Sequence, residues 1–542
     1  MSVKQCNPRA RLLFFCMFVL LSSYGCDSDR ALGGNGSSTL NRGLNVEPES
    51  LDPHRFSSNS AANVLRDIGE GLLTYSASGA IVGGVAESWS VSDDGLTYTF
   101  FLRPDAKWQD GSQVTASDFV SSFRHLVSPS TASPYAELLN PIRNVNRIVL
   151  DELPPEDLGV FAIDSRRLRI ELESPTAFFL QLLTHPSAFP IREEATVSLV
   201  ENVGRSKNYV NNGAYSLSKW IVGSSISLVR NPNYWDNDST SFDSVTYHLI
   251  QESSEPDRYL AGDVDITDNV DGAMFKNLMN ERPNELRVSP QLGVYYYGFN
   301  LTKGIFSNKP QLRRALSMAV DREKLVERII GRGEQPAYGW VPPGIDGYVS
   351  STFDYSHLQP DERKEEAQRL YASAGYGPEN QLTFELRYNS SSVEKRIALA
   401  IQSMWRDVLG AEVTLVGEEF QVLLSNIQEM SVTEMFRLSW TGDYNDPLTF
   451  LQLFETGNPS NLTGYSNPDV DAFLDSAASN IDSDARFNLL AKAESTAVAD
   501  HPVIPLYFYV SKHLVRESIG GWQANILDIH YSKHLSHLNG VE

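Results

Sequence analysis

Short runs that alternate apolar with polar residues dominate the first half of the chain. Residues 87–92 and 96–103 alternate on either side of Asp93-Asp94-Gly95, which predicts a hairpin. A second turn at Asp110-Gly111 precedes Thr115-Ala116-Ser117-Asp118, the start signal for a helix running to Val127. Residues 245–251 and 294–301 read as strands. Beyond residue 310 the apolar spacing lengthens to that of a helix. Leu312, Ala315, Leu316, Ala319 and Val320 share one face, and Leu325, Val326, Ile329 and Ile330 share another before Gly331. Residues 361–374 repeat the pattern and stop at Gly375. Residues 382–388, 394–409 and 412–416 then read strand–helix–strand, which implies a parallel pair joined by a crossover helix. Helices are expected at 469–477 and 484–497, and a buried strand at 503–510. The body is therefore α/β. Its length exceeds one ordinary core and implies two or three domains, most simply two lobes.

The N-terminus has a different pattern. Lys4, Arg9 and Arg11 precede an apolar run at 12–21, and no acid occurs before Asp27. A hydrocarbon core of ~30 Å needs about 20 apolar residues as a helix, so this run is too short to span and reads as the core of a signal peptide. Ser22, Ser23 and Gly25 lead to Cys26. A small residue before such a cysteine resembles the lipobox of bacterial lipoproteins, although Ser23 stands where that pattern prefers Leu. The expectation is a signal peptide at 1–25, lipidation of Cys26, and a Gly-rich tether at 26–38 that holds the protein to a membrane through the lipid. Ordinary secretion with an incidental cysteine is the alternative.

Composition removes several function classes. The 542 residues include 45 Lys and Arg against 68 Asp and Glu, a formal net charge of −23. No nucleic-acid partner is expected, because that affinity rests on Lys and Arg neutralising phosphates. Cys6, Cys16 and Cys26 are the three cysteines, so the body can hold no disulfide framework, Cys-type zinc site or cysteine nucleophile. Phosphate-loop, dinucleotide, zinc-protease and serine-elbow motifs are missing, and neither enzyme activity nor a cofactor is expected. Ser216–Lys219 and Ser392–Lys395 have the spacing of penicillin-recognising enzymes, but the Lys-Thr-Gly strand that chemistry needs is absent. Ser216 also falls in a predicted strand that would turn Lys219 to the opposite face. An envelope acyl-enzyme using Ser216 or Ser392 is the alternative from a different class. His530, His534 and His537 would share a face if helical, yet only Asp528 lies near them, and no metal site is expected.

One segment stands out: Trp440-Thr441-Gly442-Asp443-Tyr444-Asn445-Asp446-Pro447. Residues 435–440 alternate as a strand, with Arg437 and Ser439 on one face. A guanidinium on the strand and a carboxylate at its exit could meet the two ends of a zwitterion. They could equally form an internal Asp–Arg salt bridge. The residues alone leave both readings open.

A wider set of motifs then carries a resemblance. Ala86-Glu87-Ser88-Trp89, Asp93-Asp94-Gly95-Leu96-Thr97-Tyr98-Thr99-Phe100, Lys107-Trp108, Asp110-Gly111 and Asp118-Phe119 resemble the signature of the family-5 extracellular solute-binding proteins of ABC importers. Glu49-Ser50-Leu51-Asp52-Pro53-His54, Ser133-Pro134-Tyr135-Ala136, Arg230-Asn231-Pro232-Asn233-Tyr234-Trp235-Asp236, Pro336-Ala337-Tyr338 and Asp443-Tyr444-Asn445 extend it collinearly, towards the peptide-binding branch. The resemblance implies a two-lobed periplasmic-binding-protein-like fold, type II and cluster C-like, with an extra N-terminal subdomain. It places lobe I at 39–69, 193–292 and 509–542, the inserted subdomain at 70–192, and lobe II at 293–508. It implies a monomer in the periplasm that captures short peptides and delivers them to a permease and its ATPase subunits; a murein tripeptide binder is the alternative in the same class. Carried over by position, Asp443 holds the ligand ammonium, and Arg437 holds a tripeptide carboxylate. Trp440, Thr441, Tyr135 and Phe420 line the pocket. Two departures stand out. Gly293 and Thr441 occupy the family's disulfide positions, and Ile330 and Glu394 occupy those of two carboxylate-binding cations.

Overall fold

Three sheets, each with its own apolar core, organise the chain, whose computed structural model describes residues 38–192, 210–442 and 444–538. The first runs Thr39–Leu44, Ser244–Leu249, Ser225–Arg230 and Tyr215–Ile221, with only the first pair parallel. Leu40, Leu65, Tyr215, Leu228, Val245 and Tyr247 fill its core.

The second sheet is antiparallel throughout: Ala86–Val91, Thr97–Leu102, Arg167–Glu171 and Val160–Asp164. Its first two strands are the expected hairpin. Gly95 takes φ +70° at the turn, a left-handed conformation that costs glycine little. The helix Ala116–Val127 starts where Thr115 predicts, its backbone N–H donating to Asp118 Oδ2 at 2.8 Å. Phe119, Phe123 and Leu126 on its inner face complete a core with Phe100, Leu168 and Ile170.

The third sheet has six strands in the order Gln335–Pro336, Val503–Leu514, Leu286–Phe299, Met435–Thr441, Thr383–Asn389 and Glu412–Glu418. Thr383–Asn389 and Glu412–Glu418 are parallel and joined by the helix Ser392–Leu409, as the strand–helix–strand pattern requires. Ile397, Ile401 and Trp405 on that helix pack into the largest core with Phe299, Trp340 and Leu386. The helical face of Leu325, Val326, Ile329 and Ile330 is carried by a short α-turn, Arg322–Lys324, followed by a π-helical stretch, Leu325–Ile330, closed by Gly331 at φ +69°.

Two strands are longer than their apolar runs. Leu286–Phe299 begins well before Val294, because Pro290 interrupts the pattern but sits at a register shift between Pro290 and Val294. Val503–Leu514 continues past Val510 through Ser511, Lys512 and His513, which are polar yet buried. The two strands pair antiparallel from Leu286↔Leu514 to Gly298↔Val503. They start in a small core of Tyr259, Leu278, Leu286 and Leu514 and end in the largest one. No described helix is long and apolar enough to cross a membrane.

Candidate functional site

A cleft of about 1340 Å³ opens where these strands meet the first two sheets' surroundings. Thr441 and Gly442 enter it from the end of the Met435–Thr441 strand, and Tyr509, Ser511 and Lys512 enter it from Val503–Leu514. Tyr135, Phe178 and His185 add aromatic faces to its lining, with Tyr135 4.5 Å from His185 between ring centroids. Asn45, Arg66 and Asp268 come from the first sheet's neighbourhood. Backbone at a strand end, aromatic faces and charges of both signs can grip an extended polar ligand along its main chain.

Of the residues expected at the site, the structure brings Thr441 and Tyr135 to the cleft. Strand alternation explains Thr441, which projects on the same face as Arg437 and Ser439. Trp440 faces the other way. It packs against the large core, and its Nε1 donates to Thr449 Oγ1 at 3.4 Å, so it does not line the cavity. Phe420 opens the helix Phe420–Gln428 with 41% of its surface exposed and is not among the described residues that line the cleft. Asp443 and Cys26 lie outside the described residues.

Arg437 is buried at the sheet and does not line the cavity. Its guanidinium lies 3.1 Å from Glu394 Oε1 and 4.4 Å from the Tyr295 ring centroid. The Tyr295 hydroxyl donates to the other Glu394 oxygen. Burial opposes the charge on Arg437, but Tyr295 and Glu394 outweigh it and hold its pKa above the usual arginine value. Its Nε has no hydrogen-bond partner among the described residues. The sequence could not reveal this pair, since Glu394 comes from the first turn of the Ser392–Leu409 helix.

The Trp440–Pro447 segment is anchored by another acid. Asp446 accepts two bonds from Arg486, at 2.6 and 2.9 Å, and caps the Leu448 N–H at 2.9 Å. Tyr444 stacks on Phe178 with centroids 4.3 Å apart and planes 5° from parallel, and Gln181 donates to the Asn445 carbonyl at 2.9 Å. The exit loop of the third sheet is thereby fastened to the second sheet's body.

Sequence reasoning missed Lys512 and Glu334, a buried pair 3.1 Å apart on the cleft wall. Glu334 Oε2 has no hydrogen-bond partner among the described residues. Their signal was the polar end of an apolar strand. Ser216 is buried in Tyr215–Ile221 while Lys219 is exposed, and Ser392 and Lys395 lie on an exposed helix start. Neither pair borders the cleft.

The model for bacterial extracellular solute-binding proteins, family 5, matches residues 80–461. The chain belongs to that family. Within family 5 it is 38% identical over 502 residues to the periplasmic oligopeptide-binding protein OppA of Salmonella typhimurium, covering 92% of each chain. It aligns with the MppA periplasmic murein tripeptide-binding protein in its unliganded open form at a TM-score of 0.85 and 35% identity, covering 92% of this chain and 97% of that one. Against Haemophilus influenzae OppA in complex with the peptide RPPGFSPFR the TM-score is 0.73 at 32% identity, covering 92% and 99%. The fold is thus the two-lobed α/β architecture of family-5 binding proteins, and these are binding components of transporters, not enzymes.

Proposed function

We propose that this chain is the extracytoplasmic peptide-capturing component of an ABC importer. The observation that carries the reading is the cleft at the end of the Met435–Thr441 strand, in a chain 38% identical to an oligopeptide-binding protein. An extended peptide adds main-chain hydrogen bonds at such a strand end whatever its sequence, and bridging waters tolerate varied side chains in a roomy cavity. Closure of the lobes over the peptide then presents it to a permease powered by its ATPase subunits. A higher score against an open, unliganded relative than against a peptide complex fits an open cleft, because rotating one lobe lowers the match of the whole.

In this reading 39–69, 193–292 and 509–542 form lobe I, 70–192 the inserted subdomain and 293–508 lobe II. Asp443 takes the ligand's ammonium. Residues 1–25 are removed, and Cys26 carries the lipid that keeps a monomer at the membrane, on the periplasmic side. A murein tripeptide is the second candidate ligand, since the chain is also 36% identical over 498 residues to a periplasmic murein peptide-binding protein.

Mass spectrometry of ligands released on denaturing the purified protein, followed by calorimetry with those peptides, tests the proposal. Co-purifying short peptides that rebind support it. An empty protein that gives no binding heat with any short peptide, murein tripeptide included, overturns it. Palmitate labelling that survives Cys26→Ser overturns the anchor alone.

A further inference from the structure

Three side chains, of which only Asp528 also borders the peptide cleft, converge where the Val503–Leu514 strand meets the C-terminal segment. His513 Nε2 lies 2.8 Å from Asp528 Oδ1, and His530 Nε2 lies 3.2 Å from the same oxygen. One ligand atom from each residue falls within 4.8 Å of the others. His513 Nδ1 is 2.9 Å from the Thr267 carbonyl, which can only accept, so that nitrogen carries hydrogen. Nε2 is then left facing a carboxylate, and the arrangement requires a positive charge there: a second proton on the ring, or a cation. The His530 ring is fixed by stacking on Trp522, 3.6 Å between centroids. Beside the three groups is a cavity of about 40 Å³, bounded also by Arg42, Tyr247, Thr267 and Asp268, which is room for an ion or a water.

We propose that His513, Asp528 and His530 form a binding site for one divalent transition-metal ion of the zinc, nickel or copper type. Two imidazole nitrogens with one carboxylate suit these ions and not calcium or magnesium, which take oxygen ligands. Three protein ligands leave a coordination position open to water. The Thr267 carbonyl on Nδ1 is the outer partner that sets the tautomer and plane of a ligating histidine. Nearby Arg42 does not compete for the carboxylate. Its guanidinium donates to the His530 carbonyl at 2.8 Å and the Ser532 hydroxyl at 2.9 Å, and Asp67 and Asp268 offset its charge.

The site differs from the one the histidine spacing invited. His534 reaches the Tyr75 carbonyl at 3.1 Å, His537 packs on Phe242, and only His530 of that trio takes part. Occupancy would cross-link the strand to the C-terminal segment. Asp528 also lines the peptide cleft, so the ion would sit in its wall.

The test is Zn²⁺ titration of the full, tag-free chain, stripped with a chelator, in competition with a chromophoric chelator. One equivalent is expected for the wild type. His513→Ala and His530→Ala should each weaken binding at least about tenfold, while His534→Ala and His537→Ala should not. Circular dichroism checks that the variants fold; His530→Ala supplies the decisive arm if His513→Ala does not fold. No stoichiometric uptake by the wild type, or unchanged affinity in a folded His530→Ala, overturns the site.

Discussion

Arg437 and Glu394 form an ion pair 3.1 Å apart, the base held between the acid and the ring of Tyr295. Removing one member of such a pair strands the other charge in a poorly solvated place. Glu394→Gln is therefore expected to cost about 3–5 kcal/mol of folding stability, measured by urea unfolding. Joining Glu394→Leu with Arg437→Met should restore most of it, since a packed apolar pair is often no worse than a buried ionic one. The Gln variant also releases a positive charge close to Tyr509, a cleft residue. Peptides with a free carboxylate should then bind more tightly than to the wild type, and their amides should not.

Asp443→Ala is expected to lose at least about 2 kcal/mol of peptide affinity, the penalty of leaving an ammonium buried without its partner. Calorimetry with a peptide and its N-acetylated form checks this. The acetylated form should bind wild type and variant alike, and equal losses for both would remove Asp443 from the ammonium site.

Asp446 has a structural duty that the same measurements separate. Its two bonds to Arg486 are buried, and it also caps the Leu448 N–H. Asp446→Ala should cost about 3–5 kcal/mol of stability, against little direct effect for Asp443→Ala in the ligand-free protein. Thermal unfolding of the two variants side by side gives the contrast.

Acid should weaken the fold through histidines that are buried neutral. His501 packs on Phe353 and Tyr355, and both its ring nitrogens lack hydrogen-bond partners among the described residues. Burial, then the charges of Arg314, Arg313 and Arg322, pushes its pKa down to about 3. The unfolded ring titrates near 6.5, so below that pH the unfolded chain binds a proton that the native one refuses. Stability is full above about pH 6.5 and is lost between there and about 3, by about 2 kcal/mol at pH 5 for this group. His185, lowered to about 3 by burial and Arg66, acts in the same direction. His501→Asn should reduce the fall in stability between about pH 7 and pH 5 by about 2 kcal/mol; an unchanged slope would show that the native ring accepts its proton.

Where the apolar pattern was continuous, the sequence was enough. The hairpin around Gly95, the capped helix from Thr115 and the parallel pair about Ser392–Leu409 all formed as their periodicity and turn residues required. Legibility failed where buried positions are polar. Ser511, Lys512 and His513 ended the apparent strand, yet they stay in the sheet because Lys512 meets Glu334 and His513 meets Asp528 and Thr267. Each partner is distant in sequence, so no local rule could supply it. The site behaved likewise: Thr441 was reached only through the family resemblance, and the partner of Arg437, Glu394, stands on a helix that strand alternation does not register.

Gly293 and Thr441 face one another across two strands of the large sheet. A side chain at Gly293 would begin 2.9 Å from Tyr509 Cδ2, so the tyrosine ring that lines the cleft already occupies the space a cross-strand bridge would take. With every cysteine at or before Cys26, the body needs no oxidant to reach its fold. Chain released into a reducing compartment and chain folded by an oxidising one should be the same molecule. Cellular thiol balance therefore has no lever on how this protein matures.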